Sequence, residues 1–412
     1  MASTAHSLPL TRDSVLKAHE LIKPHVHLTP IQTNTTLSLL TSTPQSPSNL
    51  VGTPWEGQKP ADPNMRLFFK CENFQRTGAF KVRGAFHAMR RLIEERGIED
   101  VRTSGVITHS SGESGYSKEL ELAPEQSSSQ CAIISCLLTT FAGNHAQALA
   151  LAAKEFSIPA HIVMPTISTP SKIASTQAQG AFIHFSGSTS KERDEVAAKV
   201  IARTGAIFVP PYDHPDIILG QGTMAVEFEQ QVVDLLRGNE TIHLGKIGLD
   251  AVIAPCGGGG MLSGTAIALK DAGIKVFGAE PGFEGADDAR RGVESGERIT
   301  EVSTLTIADG LRTPLGDWTW KIISDKGFVA GLYTVTEDNI RDAMRLVLER
   351  MKCFVEPSAV VGLAALLYNE DLRKRIEVEA GHDGWNIGVI LSGGNTTIEA
   401  IANIYSDGDR SR

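Results

Sequence analysis

From position 144 onward, apolar and polar positions fall into a regular alternation. A helical run over 144–156 leads to an apolar stretch at 161–164 stopped by Pro165, a second over 171–179 leads to 182–185, and a third over 191–203 leads to 206–209. Strands alternating with helices of this length predict an α/β fold: open, mostly parallel sheets with helices on both faces. Ahead of this block, Thr11 is placed to cap a helix over 12–22, which ends before Pro24. The stretch 41–64 is rich in Ser, Thr, Pro and Gly without periodicity, so it reads as a surface loop. A strand at 66–71, an amphipathic helical run at 80–93 and a short strand at 105–109 follow. Beyond the block, the run from Pro210 to Pro215 breaks the pattern, and buried strands are predicted at 251–255, 275–279 and 387–391. We expect two domains, a large one built from 1–84 and 206–412 and a smaller one at 85–205 inserted within it.

Three short stretches carry candidate chemistry. Asn73-Phe74-Gln75-Arg76-Thr77-Gly78-Ala79-Phe80-Lys81-Val82-Arg83-Gly84 sets Lys81 at a helix start behind a turn. An amine becomes a useful Schiff-base former when desolvation or a nearby cation lowers its pKa. Taken alone, Lys81 reads rather as an ordinary surface lysine on the amphipathic run. The strand at 251–255 runs into Cys256 and then Gly257, Gly258, Gly259 and Gly260, ahead of a helical run from Met261. Such a loop lets backbone N–H groups close on a phosphate at a helix N-terminus. It matches neither a P-loop, lacking the lysine, nor the GxGxxG register of a dinucleotide site. After the strand at 387–391 comes Ser392-Gly393-Gly394-Asn395, again at a strand end where open α/β sheets bind ligands.

Composition removes several alternatives. A formal net charge of −9 argues against nucleic acid or an anionic membrane as partner. No apolar run approaches the ~20 residues of a membrane span. The N-terminus lacks the basic-then-apolar order of a secretory signal. Five cysteines without a CxxC pair suit a reducing compartment, so a cytoplasmic location is expected. The chain ends soon after the helix that follows Ser392, so no appended regulatory domain is expected.

Together the Lys81 turn, the tetraglycine loop and Ser392-Gly393-Gly394-Asn395 resemble the serine racemase and serine/threonine dehydratase family, two-domain pyridoxal-phosphate enzymes of fold type II. The resemblance implies that Lys81 carries pyridoxal 5'-phosphate as its Schiff base and Phe80 packs on the ring. It further implies that Gly257, Gly258, Gly259, Gly260 and Met261 hold the phosphate and that Ser392 meets the pyridine nitrogen. Ser110-Ser111-Gly112 and Gly143-Asn144-His145 are similar to the two halves of the family's substrate-carboxylate loop. On that likeness Ser110, Ser111, Gly112 and His145 bind substrate, Ser111 is the acid/base group opposite Lys81, and Asn144 meets the cofactor's phenolic oxygen. Without it, they read as a polar strand end and a helix N-cap. Asp309 and Arg312 match positions facing the substrate. Arg312 is a natural partner for a second carboxylate, as in 3-hydroxyaspartate, or else a plain surface arginine. Glu280, the Ala286 carbonyl and Asp288 match a Mg2+ or Ca2+ site, the competing reading being a solvated acidic loop.

The implied reaction is β-elimination from a hydroxy-amino acid such as L-serine or L-threonine, giving a 2-keto acid and ammonia. Racemisation of serine, dehydration of 3-hydroxyaspartate, and a non-catalytic relative that keeps the cofactor are the alternatives. A homodimer acting on a small amino acid is expected, with no nucleic-acid or membrane partner.

The two halves of the substrate loop are separated by 113–143, and removing that stretch joins Gly112 directly to Asn144. Within it, 116–130 is polar and 131–141 is an apolar run that belongs to no pattern. Gly112-Glu113-Ser114 can be encoded through GGTGAGTC and Phe141-Ala142-Gly143 through TTTGCAGG, which contain splice-donor and splice-acceptor sequences. The stretch therefore reads as a retained intron, with a genuine lid insertion as the competing reading.

Overall fold

The computed structural model describes residues 8–109, 143–166, 168, 170–187, 189–238 and 247–408. Ser110, Ser111, Gly112 and the stretch up to residue 142 lie outside the described residues, and the expectations attached to them with it.

Two sheets organise the chain. The larger has six strands in the order β1 (Ile31–Thr33), β2 (Met65–Cys71), β10 (Trp385–Leu391), β7 (Ala251–Pro255), β8 (Lys275–Pro281) and β9 (Gly331–Val335). Every pairing in it is parallel except β1 with β2. The smaller has four parallel strands in the order β5 (Phe182–Ser186), β4 (Ala160–Pro165), β3 (Val106–His109) and β6 (Ile207–Phe208). The α/β architecture predicted from the alternation is thus the one observed. β7 and β10 are buried along their whole length, as expected of parallel strands covered by helices on both faces. Register places Leu391 opposite Cys71, so β10 and β2 end together and deliver Ser392 and Glu72 to the same edge.

Some elements were not legible in the sequence. The helix Thr35–Ser42 reaches into the start of the expected loop, and a 3-10 turn at Pro47–Leu50 anchors the loop through buried Leu50. More consequential is the 23-residue helix Pro215–Arg237, which runs on from the Pro215 break. Its first turns contain Gly220 and Gly222, which obscure the helical signal because glycine is a poor helix former. Close packing explains both. A Cβ at Gly220 would meet the Arg83 carbonyl at 2.7 Å, and one at Gly222 would meet the Gly264 carbonyl at 2.6 Å. The helix therefore crosses the Lys81 helix and the tetraglycine helix at backbone contact. Among the described residues no helix is long and apolar enough to cross a membrane.

Candidate active site

Lys81 is the first residue of the helix Lys81–Arg96. The turn before it is built from left-handed residues, Thr77 at φ 58° and Gly78 at φ 73°. Gly78 is further constrained, because a Cβ there would lie 2.5 Å from Asn395 Oδ1. The glycine thus lets the third motif close on the first. The closure is by backbone: Phe80 N–H donates to the Ser392 carbonyl at 3.1 Å and Gly394 N–H to the Gly78 carbonyl at 2.9 Å, with Ala79 and Gly393 bridged antiparallel.

The Lys81 amine donates to the Pro211 carbonyl at 3.0 Å and stands 5.3 Å from the centre of the Phe80 ring. Burial lowers its pKa to about 8, against the pull of the Glu356 carboxylate. Here is the desolvated amine that Schiff-base chemistry needs. The residue after Pro211 links the lysine to the glycine loop, since a Cβ on Gly258 would meet the Tyr212 ring at 2.6 Å. Gly259, at φ 82°, turns the chain into the helix Gly260–Leu269, whose second residue, Met261, is buried. A side chain on Gly259 would in addition strike Ile323 and Leu315, each at 2.6 Å. The loop therefore presents only backbone at a helix N-terminus, which suits a phosphate group.

Glu356 is the residue the sequence did not disclose. Its carboxylate accepts from Asn144 Nδ2 at 3.1 and 3.4 Å and from Asn395 N–H at 3.2 Å. Asn395 Nδ2 in turn donates to Asn144 Oδ1 and to the Thr77 carbonyl, both at 2.7 Å. This lattice joins the smaller sheet's first helix, Asn144–Glu155, to the Lys81 turn and to Ser392-Gly393-Gly394-Asn395. The only local signal was a lone acid before Pro357, too weak to act on. His145 follows Asn144 and is buried; burial, with the charges of Lys81 and His109, lowers its pKa to about 3, so the ring is neutral. The same effect shows that His109, at the end of β3, and His145 are neighbours. Chain on either side of the 110–142 gap thus approaches one point.

Asp309 lies buried in the turn Asp309–Leu311, packed under Gly257, whose Cβ would be 2.7 Å from Leu311 Cα. Gly310 N–H donates to Ser358 Oγ at 3.0 Å, tying this turn to the Glu356 segment. Arg312 uses Nε and one Nη on the Thr306 carbonyl, at 3.0 and 2.7 Å, so part of its guanidinium braces its own loop.

Behind Lys81 lies a buried ion network. Arg83 pairs with Glu72 at 2.8 Å and Glu227 at 2.7 Å, while Lys70 pairs with Glu227 at 2.8 Å and Thr29 donates to Glu72 at 2.6 Å. Elsewhere, Glu280 and Asp288 form a buried acidic pair. Glu280 accepts from the N–H groups of Ala289 and Arg290 at 3.1 and 2.9 Å, capping the helix Asp288–Ser295, next to buried Ala286. Burial and the neighbouring Asp288 push the Glu280 carboxyl well up, and burial raises Asp288 to about 7. Asp288 Oδ1 has no hydrogen-bond partner among the described residues. No group of three or more His, Cys, Asp or Glu side chains there is arranged to hold a metal ion.

A family profile described as "Pyridoxal-phosphate dependent enzyme" matches residues 50–118 and 132–393. The chain belongs to that family. Its match is interrupted within 113–143, the stretch that divides the substrate loop. The serine racemase of Arabidopsis thaliana is 35% identical over 390 residues, 94% of each chain. The beta-hydroxyaspartate dehydratase of Paracoccus denitrificans is 36% identical over 394 residues, covering 95% of this chain and 98% of that one. Among solved structures, maize serine racemase superposes with a TM-score of 0.72 at 32% identity, covering 97% of this chain and 98% of that one. These place the chain in the serine racemase and serine/threonine dehydratase group of fold type II enzymes, which includes ammonia-lyases and racemases.

Proposed function

We propose that the protein catalyses β-elimination of hydroxy-amino acids such as L-serine or L-threonine, releasing a 2-keto acid and ammonia. One observation carries this reading: a partly buried lysine whose amine has a pKa near 8 stands at a turn that hydrogen-bonds the Ser392 strand end, with a side-chain-free glycine loop packed on the neighbouring Tyr212. Pyridoxal phosphate, when bound, supplies an electron sink for the bond broken at the substrate Cα. Gly257 to Gly260 and Met261 would hold its phosphate through backbone N–H groups. The Lys81 amine would be the base for the substrate's Cα proton. Asn144, fixed by Glu356 and Asn395, is held for the phenolic oxygen. A hydroxyl at Ser392 does not keep the ring nitrogen protonated, which favours prompt elimination. Return of a proton from Ser111 on the other face would give racemisation, so both activities are expected from one constellation. Lys81→Ala should abolish cofactor absorbance and keto-acid release together; a mutant that still releases pyruvate from serine at the wild-type rate would overturn the assignment.

Dehydration of 3-hydroxyaspartate is supported by Arg312, carried on the turn that packs under Gly257. Arg312→Ala should lower kcat/KM for 3-hydroxyaspartate about tenfold or more while sparing serine, because a lost charge-assisted bond is worth about 1.5–3 kcal/mol.

The acidic pair suits a divalent cation, which would join Glu280, the Ala286 carbonyl and Asp288 and satisfy Asp288 Oδ1. We read the enzyme as cytoplasmic, from its cysteines. It is also read as a homodimer: Leu28, Phe74 and Phe354, exposed by 67, 47 and 41%, lie on segments joined by the His27–Phe74 and Asn73–Phe354 hydrogen bonds. The large domain is taken as 1–84 with 206–412 and the small one as 85–205.

The active form lacks 113–143. The interruption of the family match inside that stretch and the proximity of His109 to His145 support this reading. Deletion should raise turnover on the order of 100-fold, the scale of a misplacement of about 1 Å. A mature transcript that keeps the stretch, with full activity in the longer protein, would refute it.

A further inference from the structure

Three consecutive residues ahead of the long helix Pro215–Arg237 reach three parts of the site. The Pro211 carbonyl accepts from the Lys81 amine at 3.0 Å. Tyr212 forms one wall of the tetraglycine loop: a Cβ on Gly258 would meet its ring at 2.6 Å, and one on Gly260 its carbonyl oxygen at 3.1 Å. Asp213 reaches elsewhere. Its Oδ2 accepts from the Asp317 N–H at 2.9 Å, and its Oδ1 from the N–H groups of Trp318 and Thr319 at 2.9 and 3.0 Å. Those residues open the helix Asp317–Ile323, and a helix start leaves such N–H groups without partners inside the helix. The usual cap is the side chain just ahead of the helix. Gly316 stands there instead, and a Cβ on it would overlap the Asp213 carboxylate. The missing side chain makes room for a cap supplied from more than a hundred positions away. With Leu315 ahead of it, this helix is the loop's second wall: a Cβ on Gly259 would come within 2.6 Å of Leu315, 2.9 Å of Thr319 and 2.6 Å of Ile323.

We propose that Asp213 is a positioning residue for the cofactor: its carboxylate ties the two walls together and so holds the loop's N–H groups at the spacing that selects a phosphorylated cofactor. This rests on the proposed seating of the phosphate in Gly257 to Gly260. Asp213 is covalently joined to Tyr212, so the wall on Gly258 and the wall on Gly259 cannot part without breaking its hydrogen bonds. Those bonds are charge-assisted, which makes them about twice as strong as neutral ones. Arg298 steadies the same helix start, donating to the Leu315 carbonyl at 2.8 Å and to Asp317 Oδ1 at 2.6 Å. Since the loop offers a phosphate only backbone groups, its geometry is set by what packs on it, and Asp213 fixes both packing partners.

Asp213→Asn keeps the size of the side chain but offers one oxygen in place of two, leaving the Asp317 N–H against an amide donor. The full-length protein is loaded with pyridoxal phosphate or with pyridoxal, which lacks the phosphate, and the dissociation constant of each is read from cofactor absorbance. In the variant, pyridoxal phosphate should bind about tenfold more weakly, the scale of one lost charge-assisted hydrogen bond, while pyridoxal binds as before. The phosphorus NMR resonance of the bound cofactor should move as well. Asp213→Glu, whose extra methylene finds no room beside Gly316, should behave alike and serves should the amide variant fold poorly. Equal weakening of both cofactors would mean a general structural role, and unchanged selectivity would mean no role; either overturns the proposal. Gly258→Ala, which presses on the Tyr212 ring, tests the seating of the phosphate itself. Selectivity lost there but kept in both Asp213 variants sinks the role of Asp213 alone, whereas selectivity kept in all of them sinks the phosphate seating too.

Discussion

Two buried clusters of charge behave in opposite ways. Behind Lys81, Arg83 and Lys70 each meet a carboxylate, and every carboxylate meets a cation. Although burial pushes the Glu227 carboxyl up, Arg83 and Lys70 prevail and hold it below the usual range. At Glu280 and Asp288 the two acids face each other, and the nearby Arg290 and Arg291 are engaged by Asp287 at 2.6 and 2.8 Å. Burial drives both carboxyls upward, and Asp288 raises Glu280 further. The first cluster is complete within the chain and braces the Lys81 turn. The second is complete only with a proton or a cation from outside, which is the physical basis for reading it as a metal site.

Substituting an amide in each cluster separates them most widely. Glu227→Gln leaves Lys70 and part of Arg83 buried without their anion and should cost about 3–5 kcal/mol, read by urea denaturation. Glu280→Gln, in the presence of chelator, should stay within about 1 kcal/mol of the wild type, because it removes repulsion while one capping bond survives. Equal losses at the two sites would erase the distinction.

Addition of Mg2+ is the next largest effect. Wild type should gain about 2.7 kcal/mol at a metal concentration of 100 times Kd, and Glu280→Gln should gain none. Acidity sharpens this. Asp288 keeps its proton in the folded state up to about 7, well above an unfolded aspartate. Between the ordinary aspartate range and pH 7 the folded state binds the extra proton, so without metal this group's stabilisation is lost as pH rises through about 7. Mg2+ displaces that proton, so the shift in Tm it produces should grow from pH 6 to pH 8. A metal shift of Tm that is the same at both values would count against direct ligation by Asp288.

The smallest effect concerns the braced side. Only the neutral Lys81 amine captures pyridoxal phosphate, so the rate of capture by cofactor-free protein should rise with pH through about 8. Glu356→Gln removes the charge that holds the amine's pKa up and should move that rise to lower pH by about one unit or less. An unmoved profile would mean that Glu356 acts on Asn144 and Asn395 alone.

Much of the site was legible because its requirements are local. A left-handed turn before Lys81, a loop without side chains at 257–260 and glycines after Ser392 are demands on the backbone, and a run of a few residues states them. Alternation of apolar stretches with helical runs likewise predicted parallel sheets, since strand and helix periods are properties of neighbouring positions. The long helix Pro215–Arg237 escaped because Gly220 and Gly222 serve contacts with Arg83 and Gly264, which are far away in the chain. Glu356 and the Pro211 carbonyl escaped for the same reason: each acts on a residue more than a hundred positions away. The partner of a charge and the depth of its burial are set by what the fold brings beside it. The sequence by itself could therefore name the lysine, the glycine loop and the acids at 280 and 288. Only the tertiary structure decided that the lysine amine is desolvated and that the two acids are driven to hold a proton. Desolvation and through-space charge have no signature in the order of residues along a chain.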